Sequence, residues 1–439
     1  AHLTPRPEDS DLITCTWQVP VFIRHRDGER PAEARGVVRH RHVAMVAQSC
    51  GPGAASAAAC ALLLLLATGC VGGPATLTAN TARPESDGPG EHPAGGLLCN
   101  SSTPTAGLSD AEAVAIEAVQ GLIARRLGPQ YVACFVLELI AADEERGHDV
   151  YELGAAEGGG AVLIRGSSGV ALSTGLGFYL KANNCSWAWD RGASGWTMGA
   201  LPEPAALPLP NSGVRRNVSA VKWRYAYNVV TFGYTTWAWS WDDWEEELDK
   251  LALWGVNLPL AAVGQEALWL QLYQELGLSK AQVLRDFFSG PAFLPWNRMG
   301  NIQRSWDAPL SEAWIAQQEA MQLQILARMH AYGMHPVLPG FAGHVPGAIA
   351  ARFPNASISH TPSWRGFESA YSEDAFLEPS DPLFEVVGRQ YYALLARRWN
   401  VSSDGPVFFA ADAYNEMQPA SSELSYLAMT NGRIFGAMA

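Results

Sequence analysis

SWDDWEEELDKLALWGVNLPLA, residues 240–261, decides the fold of this chain. Acids crowd its first turns, where they suit the dipole of a helix. Trp244, Leu248, Leu251 and Trp254 then fall on one stripe of a 3.6-residue repeat, the pattern of an amphipathic helix with a buried face. Gly255 stops the helix, and Val256–Ala261 is a short apolar run suited to a buried strand. A helix delivered directly into such a strand is one half of a parallel-sheet repeat.

The same unit recurs on both sides. WRYAYNVV (223–230) is an earlier strand. A helix begins at Glu266, SEAWIAQQEAMQLQILARMHAYG (311–333) is another, and MHPVLPG (334–340) is the third strand. DPLFEVVGRQYYALLARRW (381–399) and PVFFAADAYNE (406–416) form the fourth pair. Strict alternation implies parallel strands with right-handed crossovers, and predicts part of a (β/α)8 barrel over residues 215–439. Four repeats are half of the eight that close a barrel. The chain is therefore expected to stop about halfway round, truncated before the later strands, with exposed sheet edges.

Upstream lies a smaller α/β domain, residues 108–205. SDAEAVAIEAVQGLIARRLG (109–128) reads as a Ser-capped helix ended by Gly128. YVACFVLELI (131–140) is strand-like, and AVLIRGSSGVALSTGLGFYLKAN (161–183) reads strand, turn, helix. Gly166-Ser-Ser-Gly169 lacks both GxGxxG and GKS, so a structural turn is the better reading than a nucleotide site. The Pro-rich stretch LPEPAALPLPNSG (201–213) separates this domain from the barrel.

Residues 1–107 are different in kind, with low complexity and no periodicity. Ala54–Ala67 is an unbroken small-and-apolar run, shorter than the roughly 20 residues of a membrane helix but suited to a secretory signal. Met45 stands suitably upstream of it. A membrane anchor at 54–67 is disfavoured by the length of the run, and no membrane span is expected in the mature chain. Removal of the signal would leave Cys99, Cys134 and Cys185 of the seven cysteines, enough for one bridge. Five glycosylation sequons, at Asn100, Asn184, Asn217, Asn355 and Asn400, favour the same secretory route.

A formal net charge of −13 argues against a nucleic-acid groove. No Cys or His spacing suggests a metal. The sixteen tryptophans are the unusual feature of the composition, because flat aromatics are platforms for sugar rings as well as core filler. Trp296 and Trp364 lie in loops with no periodic core to fill, and are read as pocket walls.

Chemistry in such barrels collects at the carboxyl ends of the strands. Those ends present Asn228, Gln265-Glu266, the loop Phe341–His344, and Asn415-Glu416. Glu416 is the expected general acid. Asn415 beside it would hold a sugar hydroxyl or amide. Asp412, if the strand runs on to Glu416, lies about 13 Å away at roughly 3.3 Å per residue. That is too far for a retaining pair, which needs about 5 to 5.5 Å. Glu266 is left open between a helix cap and a substrate contact. The acids Asp242, Asp243, Glu245, Glu246, Glu247 and Asp249 are expected on a solvated helix face.

WDDWEEELDKLALWGVNLPLA, GQEALW, FFSGPAFLPWNRMGN, PVLPGFAGHVP and NEMQPASSE together resemble the α-N-acetylglucosaminidase family, lysosomal glycosidases that trim heparan sulfate. The resemblance is dense from about Trp223 to Leu427 and weaker over the α/β domain. It implies a retaining exo-enzyme without cofactor, removing terminal α-linked N-acetylglucosamine from the non-reducing end of a glycosaminoglycan oligosaccharide. It implies Glu416 as acid/base, and Asn415, Asn228, Trp296, Trp364 and Val230 as pocket residues, with Val230 replacing a cysteine expected there. The family's nucleophile glutamate and its helical C-terminal domain have no counterpart here, so a catalytically inactive truncated isoform, or a sugar-binding fragment, is the alternative. The implied location is lysosomal or secreted. A homo-oligomer is compatible with all of this.

Overall fold

The computed structural model describes residues 107–438 except 186, 191–194, 199–200, 211–212 and 402–405, together with 99, 101–104 and a strand, β1 (Val21–Arg24). The apolar run 54–67, Met45 and Asn100 lie outside the described residues.

Helix α1 (Asp110–Arg126) begins as its sequence predicts. The Ser109 hydroxyl accepts from the Glu112 amide, and Glu112 reaches back to the Ser109 amide at 2.9 Å. This reciprocal box satisfies two of the helix's orphan donors. Ile116, Val119, Leu122 and Ile123 form its buried face. Three strands follow, β2 (Phe135–Leu139), β3 (Val150–Ala155) and β4 (Val162–Gly166), then helix α2 (Gly169–Ala182) and strand β5 (Arg215–Val218). The sheet order is β2-β4-β3-β5, with β2 and β4 parallel and the other pairs antiparallel. Because β5 pairs with β3, the sheet of the small domain extends past residue 205 and past the Pro-rich stretch. A bridge joins Cys99 to Cys134, and Cys185 is buried.

The Gly166–Gly169 turn serves packing. The Ser168 hydroxyl accepts from the Ala171 amide and so caps α2, while the Ser167 and Ser168 hydroxyls both donate to Asp149. A Cβ at Gly169 would stand 2.8 Å from the Tyr332 carbonyl oxygen, and one at Gly166 2.5 Å from the Leu172 nitrogen. Glycine is required because two backbones approach closely, and the turn faces a carboxylate where a phosphate site would need cations.

The second domain starts with strand β6 (Tyr225–Ala226), helix α3 (Thr231–Tyr234), helix α4 (Trp241–Leu253) and strand β7 (Leu258–Pro259). Helices α5 (Gln265–Glu275), α6 (Leu294–Arg298) and α7 (Glu312–Tyr332) lead to strand β8 (Val337–Pro339). A small antiparallel patch follows: β9 (His344–Val345), β10 (Ile358–His360) and β11 (Ala375–Leu377). Helix α8 (Pro382–Arg398), strand β12 (Val407–Ala410) and helix α9 (Leu424–Met438) complete the order. β6 and β7 pair parallel, Leu260 bridges to Val337, and β8 pairs parallel with β12. The four expected strands are therefore neighbours in chain order, with helices between them. Among the described residues they form no closed barrel.

The far edge of β12 is occupied. β1 runs antiparallel along it, from Val21 opposite Ala410 to Arg24 opposite Val407. The sequence reading expected an open edge and assigned no element to residues 1–53. An edge strand presents unpaired N–H and C=O groups to any extended segment, and no periodicity need announce such a partner.

Two features of helix α4 differ from expectation. Trp244, Leu248 and Leu251 are buried as predicted, but Trp254 is 54% exposed. The helix ends at Leu253 and Gly255 turns the chain with φ 78°, so the stripe stops one position early. Asp249, expected in solvent, is fully buried. Its carboxylate accepts from Arg125 at 2.9 and 3.0 Å and from Arg126 at 2.7 Å, and it also takes the Tyr332 hydroxyl and, at 3.5 Å, Arg328. Glu245 pairs with Arg328 at 2.7 Å, and Glu247 accepts from the Tyr227 hydroxyl at 2.8 Å. The acids of α4 thus tie helices α1 and α7 to the sheet.

Candidate active site

Strand β12 ends at Ala410, earlier than the sequence suggested. The chain then turns. The Tyr414 amide donates to the Asp412 carboxylate at 3.0 Å and the Met417 amide to the Tyr414 carbonyl at 3.1 Å. The extended-strand distance between Asp412 and Glu416 therefore does not apply. Burial raises the Asp412 carboxyl above its ordinary value, opposed by the Tyr414 N–H. With Val229, Gln265, Arg298, Gly340 and Ala411, Asp412 lines a mainly apolar hollow of about 50 Å³ at the strand ends.

Glu416 itself has φ 51°, a left-handed backbone unusual outside glycine. Oε2 accepts three hydrogen bonds: from Trp364 Nε1 at 3.0 Å, Arg365 Nε at 3.1 Å and Arg365 Nη2 at 2.9 Å. The other oxygen, Oε1, has no hydrogen bond among the described residues. Arg365 is also left-handed, with φ 51°, and both side chains of the pair sit in strained backbone, a feature that clusters at functional sites.

Asn415 is buried and bonded to Asn301. Its Nδ2 donates to Asn301 Oδ1 at 2.9 Å, and its carbonyl accepts from Asn301 Nδ2 at 2.7 Å. This two-way clasp anchors the residue before Glu416 to the 294–301 segment. The same segment carries Trp296, whose ring lies 6.4 Å from Trp364 and 5.4 Å, edge-on, from Tyr234. Tyr234 is 74% exposed. The structure thus places Glu416, Trp364 and Trp296 near one another, with Arg365, Tyr234 and Asn301 beside them. Asn228 and Val230 adjoin this group through α3: the Val230 amide donates to Asn228 Oδ1 at 2.9 Å, which fixes the turn that carries Tyr234. Among the described residues no hydrogen bond joins Asn228 to Glu416.

Glu266 is neither a cap nor a substrate contact. It is 1% exposed and holds Arg298 of α6 through two bonds of 2.8 and 3.0 Å, while the guanidinium lies 4.4 Å over the Phe232 ring. This pair locks α6, and with it Trp296, to α5.

Behind the clasp, His344 is enclosed. Gly300, at φ 73°, lies so close to its ring that a Cβ there would stand 1.9 Å from Nδ1. Gly300→Ala is expected to destabilise the protein by at least about 1 to 2 kcal/mol from the left-handed backbone alone, with the steric clash added. Its urea midpoint would show this, and an unchanged midpoint would exclude the packing described.

Burial also pushes the His344 imidazole down to about 4, against the pull of the Ala413 and Asp412 carbonyls. The unfolded chain takes up its proton near pH 6.5. The stabilising effect of a neutral His344 is thus complete above pH 6.5 and is lost as pH falls toward 4. At 1.36 kcal/mol per pH unit, the loss comes to about 3 kcal/mol. The difference in unfolding free energy between the protein and a His344→Asn variant, followed from pH 7 to 4, measures it. A pH-independent difference would refute it.

Among the sequons, Asn184, Asn355 and Asn400 are exposed. Asn217 lies on β5, and its Nδ2, the atom a glycan would need, is buried. Among the described residues no group of three or more His, Cys, Asp or Glu is placed to hold a metal ion, and no helix is long and apolar enough to cross a membrane.

Family models describe the same two regions. Residues 224–439 match the α-N-acetylglucosaminidase tim-barrel domain, and residues 117–209 match the N-terminal domain of that family. The chain belongs to the α-N-acetylglucosaminidase family. Human α-N-acetylglucosaminidase is 41% identical over 337 residues, covering 76% of this chain and 43% of that protein. A family 89 glycoside hydrolase from Clostridium perfringens, solved in complex with its substrate GlcNAc-α-1,4-galactose, superposes with a TM-score of 0.65 at 26% identity, covering 74% of this chain and 36% of that one. The same enzyme in complex with PUGNAc gives 0.65 at 27%. The chain thus spans less than half the length of these relatives. α-Linked N-acetylglucosamine is the sugar these relatives are named for.

The residues that sequence reasoning missed carried weak signals. Arg365 follows Trp364 directly in PSWRGF, and Tyr234 closes a turn four residues beyond Val230. Neither has a periodicity, and only folding brings Arg365 to Glu416 and Tyr234 to Trp296.

Proposed function

We propose that this chain carries the acid/base half of a retaining exo-glycosidase site for terminal α-linked N-acetylglucosamine on heparan sulfate-type glycans, in the lysosome or outside the cell. One observation supports this most. Glu416 is held through a single oxygen by Trp364 and Arg365, leaving Oε1 free to face a sugar at a rim walled by Trp296 and Trp364.

The chemistry follows from that geometry. The proton on Oε1 passes to the glycosidic oxygen as the C1–O bond breaks and a second carboxylate bonds to C1. Glu416, now ionised, takes a proton from water, whose oxygen displaces the carboxylate and restores the original anomer. The second carboxylate is assigned to no residue of this chain. No other acid shares Glu416's partners Trp364 and Arg365 among the described residues, which favours a second reading, sugar binding without turnover.

A chromogenic α-N-acetylglucosaminide separates the two. Release of the chromophore, with the α-anomer of N-acetylglucosamine as first product by NMR, is expected from the catalytic reading. Saturable binding of N-acetylglucosamine with no release would establish the binding reading in its place.

A further inference from the structure

Arg365 is the exposed partner of Glu416. A general acid protonates the bridging oxygen, so Glu416 lies beside the unit being released, and Arg365 lies on the outer flank of Glu416. The guanidinium is 65% exposed, whereas the Glu416 side chain it holds is only 18% exposed. Both Arg365 bonds run to Oε2, through Nε and Nη2, and Nη1 makes no hydrogen bond among the described residues. One edge of the fork is therefore anchored and the other is turned to solvent. The neighbouring Trp364 ring supplies a flat wall, stacked on Phe367 at 5.7 Å. In a chain with net charge −13, a cation held at the mouth of the site is a local reversal of sign.

We infer that Arg365 is a specificity-determining residue that reads an anionic group, a carboxylate or a sulfate, on the sugar next to the scissile bond. The inference rests on the glycosidase reading of Glu416 and deepens it. A planar guanidinium matches the two oxygens of either anion through parallel N–H donors. The anchor on Glu416 holds the fork in place before ligand arrives, so little rotamer freedom is lost on binding. Its left-handed backbone, followed by Gly366 at φ 78°, directs the side chain back across the loop toward Glu416.

Three disaccharides test this by calorimetry on the full chain at low salt: N-acetylglucosamine α-1,4-linked to glucose, to glucuronic acid, and to glucose 6-sulfate. They differ only at the C6 substituent. The expected result is a preference of about tenfold for one or both acidic ligands, the scale of one hydrogen bond to a charged group. The preference should shrink in high salt, because the guanidinium is exposed. Arg365→Met should bring the affinity ratio to within about twofold of one, and Arg365→Lys should retain part of it. Which acidic ligand gains identifies the anion. Equal binding of all three by the unaltered protein overturns the role of Arg365 and leaves the glycosidase reading standing. Failure of all three to bind overturns both. An undiminished preference in a folded Arg365→Met variant, verified by its thermal transition, assigns the charge reading elsewhere and also overturns the inference.

Discussion

Asp249→Ala is expected to lower the free energy of unfolding by about 3 to 5 kcal/mol, the range for removing one partner of a buried ion pair. Asp249 has no exposed surface, and three arginines, Arg125, Arg126 and Arg328, converge on its two oxygens with the Tyr332 hydroxyl. Without the carboxylate, three guanidinium groups face one another, with Glu245 the acid paired to two of them among the described residues. The arginines belong to α1 and α7, so the loss would loosen the attachment of the small domain to the second one. Urea unfolding of the variant, with the slope unchanged and the midpoint lowered, measures the effect. Asp249→Asn should lose nearly as much, since an amide keeps the shape but not the charge. A loss below about 1 kcal/mol, the size of an exposed salt bridge, would mean that water already reaches these arginines.

That same cluster shows where sequence reading stops. The helix over 241–253 was legible because its buried face repeats at 3.6 residues, while the box between Ser240 and Asp243 is a finding of the structure. Asp249 was misread because its partner Arg125 lies 124 positions away, and no local pattern distinguishes a buried acid from a solvated one. The four parallel strands were legible as apolar runs following helices, although their hydrogen-bonded cores are only two to four residues long. Strand β1 was not legible, since its pairing depends on an edge made almost four hundred residues later. At the site, the proximity of Glu416 to Trp364 could be expected from a carboxylate at a strand end and an aromatic in a turn-rich loop, whereas Trp296, read as a loop residue, stands on the short helix α6. Asn415 shows the opposite: position placed it at the rim, but its clasp with Asn301 comes from a loop whose path the sequence does not encode locally.

The buried acids work against His344 as pH changes. Burial holds Asp374 well above the ordinary carboxylate range and raises Asp412. A raised carboxyl stabilises the fold below its unfolded value near 3.9, and that contribution is lost as pH climbs through the folded value. His344 acts the other way below pH 6.5. The fold therefore carries opposing proton linkages on the two sides of the β9–β11 patch and the β12 loop, which flattens its stability across mildly acidic pH.

Where a second carboxylate completes the site, the largest kinetic effect is expected from Glu416→Gln. If the side chain donates a proton in the first step, kcat/KM should fall by about 10² to 10⁴, the usual contribution of a positioned acid. That is roughly 3 to 5 kcal/mol of transition-state stabilisation. Glutamine keeps an oxygen to accept from Trp364 and Arg365, and the ion pair it gives up involves an exposed arginine, so the thermal transition should hardly move. The loss should depend on the leaving group. An aglycone that departs without a proton, such as dinitrophenolate, should still be released in the first step, whereas a sugar aglycone should not. With that activated substrate the second step becomes slow, because no base remains to deprotonate water. Azide needs no base and should restore turnover, giving an α-glycosyl azide. An equal fall for both aglycones, with no azide rescue, would make Glu416 a structural residue that only orders the 361–367 loop through Trp364 and Arg365.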